Sequence, residues 1–147
     1  QYGEELKKQV QEGNIELEIR NLTFLDQNSP TQYSARTANA AYAVANQVSA
    51  DKFLDFQKEL FSHQGTGDLN NQQIADIASK YGANIGSDMN DNKWRSLVDV
   101  VTAESSKNDI GGTPTVFVDG EQYTSNDFTG FLQGKIDAKK NNNNPQQ

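Results

Sequence analysis

The chain has 147 residues, a net charge of −7, a pI of about 4.6 and no cysteine. This length suits one domain with a substantial core, and the dispersed acidic charge disfavours nucleic acid and anionic membranes as main partners. Without cysteine the chain forms no disulfide framework and no cysteine-ligated metal site, and it performs no thiol chemistry by itself. No apolar run approaches the roughly 20 residues that a membrane helix requires.

The first 31 residues predict a helix, a strand and a loop. Apolar side chains recur every four positions from Tyr2 to Val10, and Gly13 follows as a C-cap, so we expect a helix to open the chain. Residues 15–20 alternate apolar and charged side chains, which predicts a half-buried edge strand. Residues 22–31 have the polar and proline content of a loop.

Residues 32–109 have helical character throughout. Their apolar side chains fall three and four positions apart, which is typical of amphipathic helices that pack into one compact unit. The predicted helices cover 33–48, a segment after Ser49, a segment from an Asn70 cap to Tyr81, and 91–107.

The stretch from Ile110 to Gly120 reads Ile-Gly-Gly-Thr-Pro-Thr-Val-Phe-Val-Asp-Gly. Pro114 cannot donate to a strand ladder, so it precedes or begins a strand. The dipeptide Asp119-Gly120 is a signal for a two-residue turn. We therefore expect a hairpin of residues 115–118 and 121–123.

A last helix is predicted over residues 126–139, with apolar positions from Phe128 to Ile136 facing inward. Residues 141–147 are polar and of low complexity, so we expect them to form a disordered tail.

The segment Gly112-Thr113-Pro114-Thr115, followed by residues 116–120, resembles the cis-proline loop, third strand and turn of DsbA-like proteins. These form the disulfide-forming branch of the thioredoxin superfamily. The resemblance implies an α/β thioredoxin-like fold with an inserted helical domain and a cis bond before Pro114. It assigns 1–31 and 110–140 to the thioredoxin-like domain and 32–109 to the inserted domain, ahead of the tail at 141–147.

The resemblance also implies two features that the sequence does not contain, a central first strand and a Cys-x-x-Cys motif. We therefore expect this chain to be the portion of a longer protein that lacks the N-terminal strand, with the redox cysteines upstream of Gln1. The rival interpretation is a complete chain with a different first element, such as a strand from a second copy.

The resemblance implies that Gly112, Thr113, Pro114 and Thr115 bind an extended substrate segment by strand addition. The parent protein would be an extracytoplasmic thiol-disulfide oxidoreductase, secreted, periplasmic or anchored to the cell envelope. Its partners would be unfolded or extended exported proteins and a membrane or extracytoplasmic redox protein, with no nucleic acid and no cofactor. This chain would hold no catalytic residue of its own.

Two other functions remain open. A thioredoxin-fold module could bind peptides through the same loop without redox chemistry, and a parent without Cys-x-x-Cys would favour this alternative. A glutathione-transferase-like enzyme also uses a cis-proline, but its helical domain follows the final helix, whereas the helical segment here precedes Thr113. We therefore rank that class last.

The remaining candidate sites have simpler explanations. His63 is the only histidine, and a histidine in the last turn of a helix interacts with the helix dipole without any catalytic partner. Residues 88–92 offer oxygens at positions one, three and five of a calcium loop, but Lys93 replaces its glycine and Asp99 its bidentate glutamate. We therefore predict no metal site.

Overall fold

The computed structural model describes residues 2–63 and 67–143, which divide into two compact units. The terminal unit combines Gln1–Glu18 with Ile110–Gln147, and the helical unit consists of Ile19–Asp109. In chain order the elements are α1 (Gly3–Gln11), a 3-10 helix (Phe24–Asn28), α2 (Tyr33–Ala45), α3 (Ala50–Ser62), α4 (Asn71–Lys80), α5 (Gly86–Asn90), α6 (Arg95–Lys107), β1 (Phe117–Val118), β2 (Glu121–Gln122) and α7 (Phe128–Asn142).

Two helix ends confirm the capping that the sequence predicts. After α1, Gly13 has φ of +70° and the amide of Asn14 donates to the carbonyl of Gln9, which closes the helix as a left-handed C-cap does. At the start of α4, Asn70 and Gln73 form a reciprocal capping box.

The helical unit has a closed apolar core. Helix α2 is rich in alanine, and its small side chains allow α3, α4, α5 and α6 to approach it. The largest fully buried apolar side chains of this unit are Phe56, Ile74, Ile85, Met89, Val44 and Val98.

The terminal unit places a hairpin on one long helix. Strands β1 and β2 pair antiparallel with Phe117 opposite Gln122, and Asp119 and Gly120 both have positive φ, as a type I′ turn requires. The amide of Tyr123 also donates to the carbonyl of Val116 at 2.9 Å, so the pairing continues beyond the strands. The core of the terminal unit consists of three buried residues of α7, Phe128, Leu132 and Ile136.

The strand predicted over residues 15–20 is wrong. This segment has no regular secondary structure, although Ile15, Leu17 and Ile19 are half-buried and the charged residues between them are exposed. The alternating pattern therefore predicted the direction of the side chains correctly. A ladder does not form because none of the strands in the described residues pairs with this segment.

Three boundaries also differ from the prediction. The helix expected from residue 91 begins at Arg95, because a turn with Asn92 at φ of +49° separates it from the short helix α5, which the sequence did not predict. The expected loop 22–31 contains a 3-10 turn. The expected tail is helical at residues 141–142, and residues 144–147 lie outside the described residues.

Candidate functional site

The candidate site is the loop of Gly112, Thr113, Pro114 and Thr115, which leads directly into β1. The Thr113–Pro114 peptide bond is cis. The side chains of Thr113 and Pro114 are exposed, whereas Gly112 and Thr115 are half-buried. The tip of the loop is therefore open to solvent while its two ends lie against the protein.

One side-chain hydrogen bond closes this loop. The Thr115 hydroxyl donates to the carbonyl oxygen of Gly112, with an Oγ1–O distance of 2.7 Å. The bond spans Thr113 and Pro114 and ties the two ends of the loop together.

The backbone at the tip of the loop is free of internal partners. Within residues 2–63 and 67–143, the N–H and C=O groups of Thr113 make no hydrogen bond, and Pro114 has no N–H to offer. Exposed and unpaired backbone groups of this kind are what an extended peptide needs in order to add as a strand.

The strand behind the loop is held by apolar packing. Val116 and Val118 pack against the α7 core, together with Tyr2 and Leu6 from the start of the chain. The centroid of the Phe128 ring lies 4.6 Å from that of Tyr2 and 5.2 Å from that of Tyr123. This packing fixes the base from which the loop projects.

The hydroxyl groups of this aromatic cluster also interact. A hydrogen bond with the Tyr123 side chain raises the pKa of the Tyr2 phenol, and partial burial adds to the shift. The Tyr2 phenol therefore stays neutral at physiological pH.

The other residues singled out in the sequence lie elsewhere and have structural partners. His63 occupies the C-cap of α3. Asp88 forms an ion pair with Lys93 at 3.3 Å and accepts a hydrogen bond from the Trp94 indole. The part of the chain that the structure describes contains no group of three or more histidine or carboxylate side chains able to hold a metal ion.

The sequence analysis did not identify two groups of hydrogen-bonded polar side chains. Buried Asn39 donates to the carbonyl of Asp88 and accepts from the amide of Trp94, which joins α2 to the turn before α6. Glu59 accepts hydrogen bonds from Lys80 and Tyr81, which raises the pKa of Tyr81 to about 12 and lowers that of Glu59. The spacing of residues in the sequence does not predict either group, because the hydrogen-bonded partners lie far apart along the chain.

The loop thus offers backbone groups and one exposed hydroxyl, but Gly112–Thr115 contains no thiol, imidazole or carboxylate. These four residues can bind and orient a peptide, and they contain no thiol for disulfide exchange. Among the described residues, no helix is long and apolar enough to cross a membrane.

Comparisons with known proteins agree with this architecture. A family model described as thioredoxin matches residues 1–138. The reduced form of the disulfide bond oxidoreductase DsbG from Mycobacterium tuberculosis matches with a TM-score of 0.77 and 27% identity, covering 93% of this chain and 67% of that one. No curated protein matches the sequence significantly.

Two structures of DsbA from the same organism are also similar. The oxidized form has a TM-score of 0.77 and 25% identity over 92% of this chain and 72% of its own. The reduced form has a TM-score of 0.75 and 24% identity over 93% of this chain and 76% of its own. These matches confirm the predicted fold class, an α/β fold with an inserted helical domain.

Proposed function

We propose that this chain, which belongs to the thioredoxin family and shares the DsbA-like fold, binds an extended segment of a client protein at Gly112–Thr115 within a thiol-disulfide oxidoreductase. The observation that carries the proposal is the exposed tip of the loop, where Thr113 has unpaired backbone groups beside a proline without an N–H. An extended peptide laid along this tip finds one donor and one acceptor and no competing donor from Pro114.

The redox step requires thiols that these 147 residues do not contain. In disulfide donation a client thiolate attacks a protein disulfide and forms a mixed disulfide, and a second client thiolate then releases it. The client gains a disulfide and the donor gains two thiols, so two electrons pass to the donor. The role proposed for this chain is to hold the client while that exchange occurs.

The proposal extends to the setting of the reaction. Disulfides persist in oxidising compartments, and one of the similar structures is named as a disulfide bond oxidoreductase. We therefore place the protein outside the cytoplasm, with unfolded or extended exported proteins as clients and a redox protein of that compartment as partner. In this proposal residues 1–31 and 110–140 belong to the thioredoxin-like domain and 32–109 to the inserted helical domain.

A second candidate function is a peptide-binding module without redox chemistry. The absence of cysteine from the printed sequence favours it. The coding sequence around this stretch separates the two, because an adjoining Cys-x-x-Cys supports the oxidoreductase and its absence supports the binding module.

Peptide binding is tested by titrating the ¹⁵N-labelled chain with a soluble, cysteine-free peptide of alternating valine and threonine flanked by lysines. We expect amide shifts to change at Gly112, Thr113 and the adjoining strand β1. The variant Pro114→Ala adds a competing N–H and frees the backbone φ, so its affinity falls about fivefold or more. Exposed Pro30 supplies the matched control, Pro30→Ala, which binds as the wild type does.

Two results would contradict the proposal. One is a titration without shifts in the loop, or with equal binding by Pro114→Ala. The other is reduction of insulin by the purified chain without any added thiol protein, because a chain without cysteine has no group for that reaction.

A further inference from the structure

We propose that Thr115 is a positioning residue, whose hydroxyl fixes the shape of the loop that presents Thr113 and Pro114. The inference rests on the proposed function and divides the loop into two roles. Thr113 and Pro114 face the client, whereas Thr115 acts on the client through the conformation of Gly112.

The Thr115 hydroxyl already donates a hydrogen bond within the chain. Its Oγ1 lies 2.7 Å from the Gly112 carbonyl oxygen, a normal distance for a strong hydroxyl hydrogen bond. A hydroxyl has one proton, and here it is donated within the chain, so Thr115 has none left to donate to a client. The side chain is also half-buried, in contrast to exposed Thr113 and Pro114.

The loop needs such a restraint because little else holds its first half. Glycine has the widest choice of backbone conformations, and the loop begins at Gly112, directly after Gly111. A Cβ built at either position meets no atom within 4 Å. Neither residue is therefore crowded on the side where a side chain would lie.

The second half of the loop is fixed by the hairpin. The amide of Tyr123 donates to the carbonyl of Val116 at 2.9 Å, and Val116 packs against the α7 core. Thr115 precedes this anchored residue directly, so its hydroxyl connects the anchored strand to Gly112.

The restraint affects binding because an unrestrained loop must be ordered by its ligand. Ordering a flexible segment reduces the affinity, and a loop that is already held in its binding shape avoids this loss. Removing the hydroxyl is therefore expected to weaken peptide binding while the folded core stays intact.

The test compares Thr115→Val, which keeps the shape of the side chain without the hydroxyl, with Thr115→Ser, which keeps the hydroxyl. The control is Thr124→Val, an exposed threonine beyond β2. In NMR titrations with the valine-threonine peptide, Thr115→Val is expected to bind about fivefold more weakly than wild type, as the loss of one hydrogen bond implies. Thr115→Ser and Thr124→Val are expected to bind as wild type does.

A second readout uses the chain without peptide. We expect the backbone amide order parameters of Gly112 and Thr113 to be lower in Thr115→Val than in wild type, with the Tm of the variant within a few degrees of the wild type. A purely structural role for Thr115 would lower the Tm and leave peptide affinity and the order parameters of the loop unchanged in the folded protein. That result would overturn the inference.

Failure of the inference can be distinguished from failure of the proposed function. If wild type binds no peptide, the proposed function and the role of Thr115 in client binding both fail. The order parameters of the loop amides still decide whether the hydroxyl restrains the loop. If Thr115→Val does not fold, a slowly exchanging Thr115 hydroxyl proton with a nuclear Overhauser contact to Gly112 is the expected wild-type signal. Its absence overturns the inference.

Discussion

The two units of the molecule close their cores in different ways. In the helical unit, Phe56, Ile74 and Ile85 have no exposed surface at all. In the terminal unit, Phe128 and Leu132 are buried, but Tyr2, Leu6, Ile15, Val116, Val118 and Tyr123, which pack against them, are each only half-buried. Among the described residues, the core cluster of the helical unit has eleven buried side chains and that of the terminal unit has three. The terminal unit therefore has the thinner core, and it also carries the exposed loop.

The largest expected effect is in the helical core, with Phe56→Ala. Phe56 is completely buried and meets the Tyr81 ring edge-on at 6.2 Å between centroids. Its removal leaves a cavity in a cluster of mostly buried side chains, so we expect a loss of about 4 kcal/mol in the free energy of unfolding. Urea denaturation followed by fluorescence of Trp94, the only tryptophan and a residue packed on this core, measures the loss.

Phe61→Ala is the matched control in the same helix, because this side chain is 64% exposed. We expect a cost within about 0.5 kcal/mol. Equal losses for the two variants would show that burial in α3 does not decide stability and would remove one side of the comparison.

A smaller effect is expected for Phe128→Ala in the terminal unit. Phe128 is 2% exposed, yet its half-buried neighbours Tyr2 and Tyr123 can move into the space it leaves. The expected cost is therefore nearer to about 3 kcal/mol, at the low end for this substitution. Hydrogen exchange of the β1, β2 and α7 amides measures it, since Trp94 reports on the other unit.

Phe117→Ala serves as control here, because Phe117 lies in β1 and is 50% exposed. It should change amide protection much less than Phe128→Ala does. A loss from Phe128→Ala above that from Phe56→Ala would reverse the proposed difference between the two cores.

The same contrast explains which elements could be predicted from the sequence. Helices such as α3 and α4 build their hydrogen bonds within one segment, so periodicity and the Asn70 cap were enough to place them. A strand depends on a partner elsewhere, and the alternation at residues 15–20 contained no information about one. Helix α5 has five residues, too few to show a period.

The candidate site was predictable only in its position. Glycine and proline mark the loop at Gly112–Thr115, and the resemblance of this stretch to a known family suggested its role. The bond from Thr115 to Gly112 could not be predicted, because it depends on the rotamer of one hydroxyl. The hydrogen bonds of Asn39 could not be predicted either, because its partners, Asp88 and Trp94, lie 49 and 55 residues away in the sequence.

The smallest expected effect concerns a polar contact at the rim of the helical core. Glu59 in α3 accepts hydrogen bonds from Lys80 at 2.5 Å and from Tyr81 at 2.6 Å, so it links α3 to the end of α4. Because the Lys80 side chain is 60% exposed, solvent screens the pair, and we expect Glu59→Gln to cost less than about 1 kcal/mol at neutral pH.

The pH dependence separates this contact from packing. Lys80 and Tyr81, with a smaller effect of His63, lower the pKa of Glu59, so the contribution of Glu59 is present above its ordinary pKa and is lost as the pH falls through the lowered value. The Glu59 carboxylate raises the pKa of Tyr81 to about 12, and Asp55 adds a minor repulsion. The contribution of this hydrogen bond to stability is present below about pH 10, the ordinary pKa of tyrosine, and is lost as the pH rises towards 12.

The difference in stability between wild type and Glu59→Gln is therefore expected to be constant from about pH 5 to about pH 10 and to shrink on both sides. Urea denaturation across this range measures the difference, and ultraviolet titration of the tyrosines should show the Tyr81 pKa falling towards 10 in the variant. A difference that persists unchanged at pH 3 would show that the negative charge of Glu59 does not cause it, because the carboxyl group gains a proton as the pH falls. Charge at the polar rim would then play no part in the contrast between the two units, and that contrast would rest on packing alone.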